Sequence, residues 1–216
     1  MTHLLVTSEN RKDIIMPFII FFAIFCLWLM YELKKNTRLH KKRSDAFWET
    51  ERQADATRKK DISHLAYLTI PFDELPLHET LPDQIKRYQD AILALKDQPI
   101  LNLSGQTNTE LKSTYGAANL DALSICDSNY TTLVSNLARL GTYYYEQGDD
   151  VRARKLLEYG ILIGTDVSSN YVTLARIYLK QNETDRIYDL MEQISESHSL
   201  LKDSILQKLH ALLAED

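Results

Sequence analysis

Hydrophobic and polar positions divide the chain into stretches of different period. From Ile14 to Tyr31 the run IIMPFIIFFAIFCLWLMY carries no charge, and at a helical rise its residues span about 27 Å, close to the roughly 30 Å hydrocarbon core of a bilayer. Pro17 falls in the first turn of such a helix, where its missing N–H costs little. A polar lead, 1–13, precedes the run. Residues 32–60 are basic, and Ser44 is placed to cap a helix with a thin apolar face running through Phe47 and Trp48 to about Lys60. From Asp61 the apolar residues Ile62, Leu65, Leu68, Ile70 and Phe72 are interleaved with polar ones, while Pro71 and Pro76 bar a helix. This predicts an extended strap over 61–81 that packs on a helical body.

A helical region, 82–133, comes next. Pro82 opens a helix whose face is Ile85, Tyr88, Ile92 and Leu95, stopped after Lys96 by Gln98-Pro99. Thr107 with Glu110 forms a capping box for a short helix that Gly116 terminates. Another short helix is expected over 118–126, with Asp127-Ser128-Asn129 supplying the cap of the next. At the far end, Leu200, Leu201, Ile205, Leu209, Leu212 and Leu213 make one face of a last helix, assigned to 202–216.

Between 134 and 201 the pattern recurs at a fixed offset. Leu137, Leu140, Gly141, Tyr144, Gly148, Ala153, Leu157 and Gly160 are matched 34 residues on by Tyr171, Leu174, Ala175, Tyr178, Asn182, Ile187, Met191 and Ile194. Large apolar positions stay large, the small seam residue stays small, and the turn residue stays one that tolerates left-handed backbone. A helix–turn–helix unit of this length is the signature of tetratricopeptide repeats, and both copies resemble that family at its consensus spacing. Ile187 and Ile194 depart from the family's small residues, and Thr165 and Ser199 stand where it usually has proline. The expected fold is therefore all-α: an amino-terminal transmembrane helix, two tetratricopeptide-like hairpins over 134–201, and a carboxy-terminal capping helix that covers the open end of the stack.

Charge adds a direction. Residues 1–60 hold 12 Lys and Arg against 7 Asp and Glu, whereas the remainder holds 13 against 23. Lys34, Lys35, Arg38, Lys41, Lys42 and Arg43 come directly after the apolar run, which predicts a single-pass protein of the cell membrane with its carboxy-terminal domain in the cytoplasm. The same six cations would attract anionic lipid headgroups. An acidic carboxy-terminal part argues against nucleic acid as ligand, because phosphate contact needs a basic face.

Candidate chemistry is sparse. The six glycines form no phosphate-cradling loop, the six histidines show no metal-ligand spacing, and Cys26 and Cys126 have no motif context. Asp149-Asp150 begins a helix, where acids suit the macrodipole. Of Tyr143, Tyr144 and Tyr145, only Tyr144 is placed to point inward. No cofactor, metal or catalysis is expected.

The segments FWETERQADATRKKDISHLAYLTIP, LKSTYGAANL, YYYEQGD and LEYGILIGTD are together similar to a family of uncharacterised bacterial single-span membrane proteins with tetratricopeptide repeats. That resemblance covers most of 44–216 and implies an anchored helical domain with no known reaction. The leading expectation is an adaptor or scaffold that binds a protein or peptide; the alternative is a structural subunit of a membrane-bound complex. In tetratricopeptide domains the first helix of each repeat lines a groove. Projected here, the groove carries Ser135, Ala138, Thr142 and Tyr145, then Ser169, Val172, Arg176, Leu179 and Lys180. Ala138 and Thr142 replace the lysine and asparagine that clamp a terminal carboxylate in chaperone-binding relatives. The implied ligand is a mostly apolar segment with an acidic residue, held by Tyr145 and oriented by Arg176, unless the 61–76 strap fills the groove.

Overall fold

The structure, a computed structural model, describes residues 6–77 and 80–215, with side chains described outside 6–19, 39 and 215. The described residues form eight α-helices and one 3-10 turn, with no strand: α1 Val6–Asp55, α2 Asp83–Leu93, α3 Asn108–Tyr115, the turn Ala117–Asn119, α4 Leu120–Glu146, α5 Asp150–Leu162, α6 Ser168–Lys180, α7 Thr184–Glu196 and α8 Lys202–Glu215. The chain divides into two units, residues 1–53 and 54–216.

The first unit is α1. Part of the lead (1–5) and the side chains of the first third of the predicted span (14–19) lie outside the described residues. From Ile20 to Leu33 every large hydrophobic side chain is exposed. Among the described residues no helix is long and apolar enough to cross a membrane. The helix predicted to start at Ser44 is instead continuous with what precedes it and ends at Asp55, short of Lys60. The reason is local: no Pro or Gly interrupts 32–55, and its lysines, arginines and leucines are good helix formers, so nothing obliges Ser44 to start a new helix.

In the second unit the helices stack in chain order. α4 packs against α2, α5 and α6; α6 packs against α5, α7 and α8; and α7 packs against α8. One core runs through the stack, including Leu77, Ile92, Leu133, Leu137, Leu140, Leu156, Leu157, Leu174, Ile187 and Leu209. A satellite cluster of Leu101, Leu103, Leu111, Leu123 and Cys126 sits beneath Ile62, Leu65 and Tyr67. Burial pushes the Cys126 thiol above its ordinary range, which suits a packing role.

Residues 61–77 form no helix, and Ile70, Leu75 and Leu77 are buried. Leu68 N–H donates to the carbonyl of Ile100 (2.9 Å), and Tyr159 Oη donates to the Thr69 carbonyl (3.2 Å). This segment therefore meets α5. Just before it, Lys60 N–H donates to Tyr115 O (3.0 Å), and Asn119 Nδ2 donates to Lys60 O (2.7 Å). Gly116 makes this crossing possible: its φ is +93°, and a Cβ there would lie 2.4 Å from the Arg58 carbonyl oxygen.

The α3 capping box forms as the spacing predicts, with Glu110 N–H donating to Thr107 Oγ1 (3.3 Å) and Thr107 N–H to Glu110 Oε2 (2.7 Å). The expected break near Asp127 does not occur, and α4 is one helix of 27 residues. Leu123, Cys126, Tyr130, Leu133, Val134 and Leu137 keep the helical period across the supposed cap, and their burial outweighs the mild turn preference of Asp-Ser-Asn. At the other end, Leu200 and Leu201 precede α8 and are exposed; Ile205 and Leu209 carry its burial.

Candidate partner-binding surface

The second half of α4 with α5, and α6 with α7, form two consecutive hairpins whose turns match. α4 ends at Glu146 and α6 at Lys180; α5 begins at Asp150 and α7 at Thr184. Gly148 (φ +79°) and Asn182 (φ +57°) occupy the left-handed position in each turn, as predicted. Next in each copy stands an acid, Asp149 or Glu183. Three residues on, an arginine pairs with it, Arg152 with Asp149 at 2.7 Å and Arg186 with Glu183 at 3.1 Å. Each guanidinium also lies over the inward tyrosine of its own hairpin, Arg152 at 5.8 Å from the Tyr144 ring and Arg186 at 5.6 Å from that of Tyr178. Comparing 149 and 152 with 183 and 186 at the same 34-residue offset would have added the acid and the arginine to the tyrosine already matched.

The hairpins are joined by a network whose centre is Arg154 on α5. Its guanidinium pairs with Glu158 (2.9 Å) and with Glu183 (2.9 Å), and it also donates to Gln181 Oε1. Arg186 pairs with Glu158 (3.1 Å), and Tyr178 Oη donates to the same carboxylate (2.9 Å). Hydrogen bonding from Arg154 holds the Glu183 carboxyl below its ordinary range, while burial pushes the Tyr178 phenol up to about 12. Two cations meet two carboxylates, so the network leaves no net charge for a ligand and serves as a staple between repeats.

The residues projected for the groove are distributed unevenly. Ser169, Arg176 and Lys180 are exposed; Ser135, Thr142, Tyr145, Val172 and Leu179 are half-buried. Ala138 is wholly buried. Thr142 Oγ1 donates to the Ala138 carbonyl (2.8 Å) and lies 3.4 Å from Thr173 Oγ1 of α6. Positions 138 and 142 share one face of α4, so this stripe is the seam against α6 and cannot present Ala138 to a partner. Lys180 Nζ sits 4.2 Å from the centre of the Tyr145 ring and 3.3 Å from Asp150. The predicted aromatic anchor and one predicted cation are thus paired with each other. The strap's hydrogen bonds at Leu68 and Thr69 are made with Ile100 and with Tyr159 of α5, not with this face.

Three clefts open around α5. One of about 660 Å³ is lined by the 71–75 strap and α5, one of about 250 Å³ by α5, α6 and α7, and one of about 480 Å³ by the loops near Asn102, Asp166 and His198. Among the described residues no cluster of histidine, cysteine and carboxylate side chains is arranged to hold a metal. No family model matches the chain, and neither a curated protein nor a solved structure matches it.

Proposed function

We propose that this protein is a membrane-anchored scaffold whose tetratricopeptide-like hairpins bind a protein segment, with no chemistry of their own. The observation that carries the reading is the internal repetition: the left-handed turn residue, acid, arginine and tyrosine recur at one offset in two adjacent hairpins. Units of this kind bury a continuous core by stacking and leave their outer faces available for partners. Support for the anchor is the uncharged run 14–31, whose described large side chains are exposed, with Lys34, Lys35, Arg38, Lys41, Lys42 and Arg43 directly after it. On this reading the carboxy-terminal unit faces the cytoplasm, with the six cations near anionic headgroups. On the α4–α6 face the contact set narrows to Ser135, Ser169, Val172, Arg176 and Leu179. This mildly apolar strip with the positive charge of Arg176 suits a mostly apolar segment that carries an acidic residue.

The test has two parts. A reporter active only outside the cytoplasm, fused after residue 60, is expected to stay silent; strong activity there refutes the orientation. Partners captured from detergent-solubilised membranes by the full chain are expected to be lost with Arg176→Glu combined with Val172→Ser. Unchanged capture by a folded double variant removes the α4–α6 face as the binding site.

A further inference from the structure

The three clefts on the α5 side share residues and form one furrow. Leu162 lines all three, Glu158 lines the two nearer the strap and α7, and Gln193 lines the two nearer the loops. Leu162, a large apolar side chain at the end of α5, is 81% exposed. Around it the furrow is acidic. Asp73 and Glu74 lie at the strap end, Asp189 in the middle, and Asp166 and Glu196 at the loop end. Two cations line the same surface, Lys155 and Arg186, and Arg186 is already paired with Glu158 and Glu183. On the α4–α6 face the exposed cations are Arg176 and Lys180, and Lys180 is paired with Asp150.

We propose that this furrow docks a basic segment of a partner protein, in which lysines or arginines flank one large apolar side chain seated on Leu162. Charge complementarity selects the sign of the partner and speeds encounter. Removing Leu162 from water supplies the central apolar contact that hot spots require. Clefts in a row suit an extended chain rather than a compact molecule. The site differs from the α4–α6 face in position and charge, so the two stand or fall separately.

The experiment uses the full chain in detergent micelles and a fluorescent peptide carrying four lysines or arginines around one leucine, with a peptide of glutamates around leucine as control. The basic peptide is expected to bind and the acidic one not, with affinity falling as salt is added. Asp189→Lys with Glu196→Lys is expected to weaken binding about tenfold, and Leu162→Ser about fivefold. Asp189→Asn with Glu196→Gln gives a smaller loss in the same direction and guards against misfolding of the reversed pair. Asp121→Lys with Glu146→Lys, on α4, is expected to leave binding unchanged. The proposal is overturned if the α4 pair weakens binding as much as the furrow pair, which would mean non-specific attraction only. It is equally overturned if Leu162→Ser binds like the parent. Self-association of the full chain that is abolished by Leu162→Ser, with no peptide binding, would identify the occupant as a second copy and refute the partner segment.

Discussion

The hairpins α4–α5 and α6–α7 have the same turn but different seams. At position 141 the first hairpin has glycine, and a Cβ there would lie 2.7 Å from Leu157 Cδ2; the second has Ala175, fully buried. At position 160 the first has glycine, whose missing Cβ would lie 2.6 Å from Asn170 Oδ1; the second has Ile194, fully buried. Asn170 is itself wholly buried, and its Nδ2 donates to the Leu157 carbonyl (2.9 Å). The first hairpin therefore closes by bringing backbones together, and its α5 accepts a polar side chain from α6. The second closes by filling space with branched aliphatic side chains against α8, whose Ile205 and Leu209 share the same core. One repeat pattern thus tolerates two packing solutions, provided the turn that sets the hairpin is kept. An inner repeat has a neighbour helix to meet on both sides, whereas the last one must satisfy a cap.

The largest expected effect separates the two solutions at equivalent positions. Ile194→Ala opens a cavity and should cost about 2–4 kcal/mol in denaturant unfolding of the full chain. Gly160→Ala instead overpacks against Asn170 and should cost about 1–3 kcal/mol. If Gly160→Ala is neutral, the close α5–α6 approach is not as described. Next, Gly141→Leu should cost about 1–3 kcal/mol by pushing Leu157 out of its place. Ala175→Leu should cost less, because the second seam already accommodates a Cβ. Equal losses would erase the distinction between the hairpins.

A smaller effect concerns the staple. Glu183→Gln should lower the melting temperature slightly at neutral pH and flatten the acid limb of the stability profile. The sign comes from its depressed carboxyl pKa: the ion pair with Arg154 contributes above the ordinary glutamate value and is lost as the pH falls below it. A double-mutant cycle with Arg154→Ala should show coupling that shrinks in acid and in high salt. The smallest change is at the shared turn. Gly148→Ala should cost about 1 kcal/mol, from backbone strain alone, since nothing crowds a Cβ there. Asn182→Gly should be neutral or stabilising by a few tenths of a kcal/mol, because the asparagine already tolerates a positive φ.

Local features were legible in the sequence because their causes lie within a few residues. The helical period identified an all-α second unit. The capping box at Thr107 and Glu110 and the left-handed residues Gly148 and Asn182 were readable from side-chain chemistry and backbone permissiveness alone. The inward direction of Tyr144 came from helical geometry, and its burial agrees. Tertiary structure decided whatever depended on which helices meet. α4 runs unbroken through Asp127-Ser128-Asn129 because its apolar face stays covered along the whole length, which no local turn preference can reveal. Ala138 became seam rather than groove because α6 crosses α4 along the 138–142 stripe. Arg154 reaches Glu183, and Lys180 reaches Tyr145, only because the second hairpin stacks on the first. A repeat period specifies how each unit folds; the crossing of one unit over the next, set by side-chain volumes distant in sequence, decides which of its surfaces remain open.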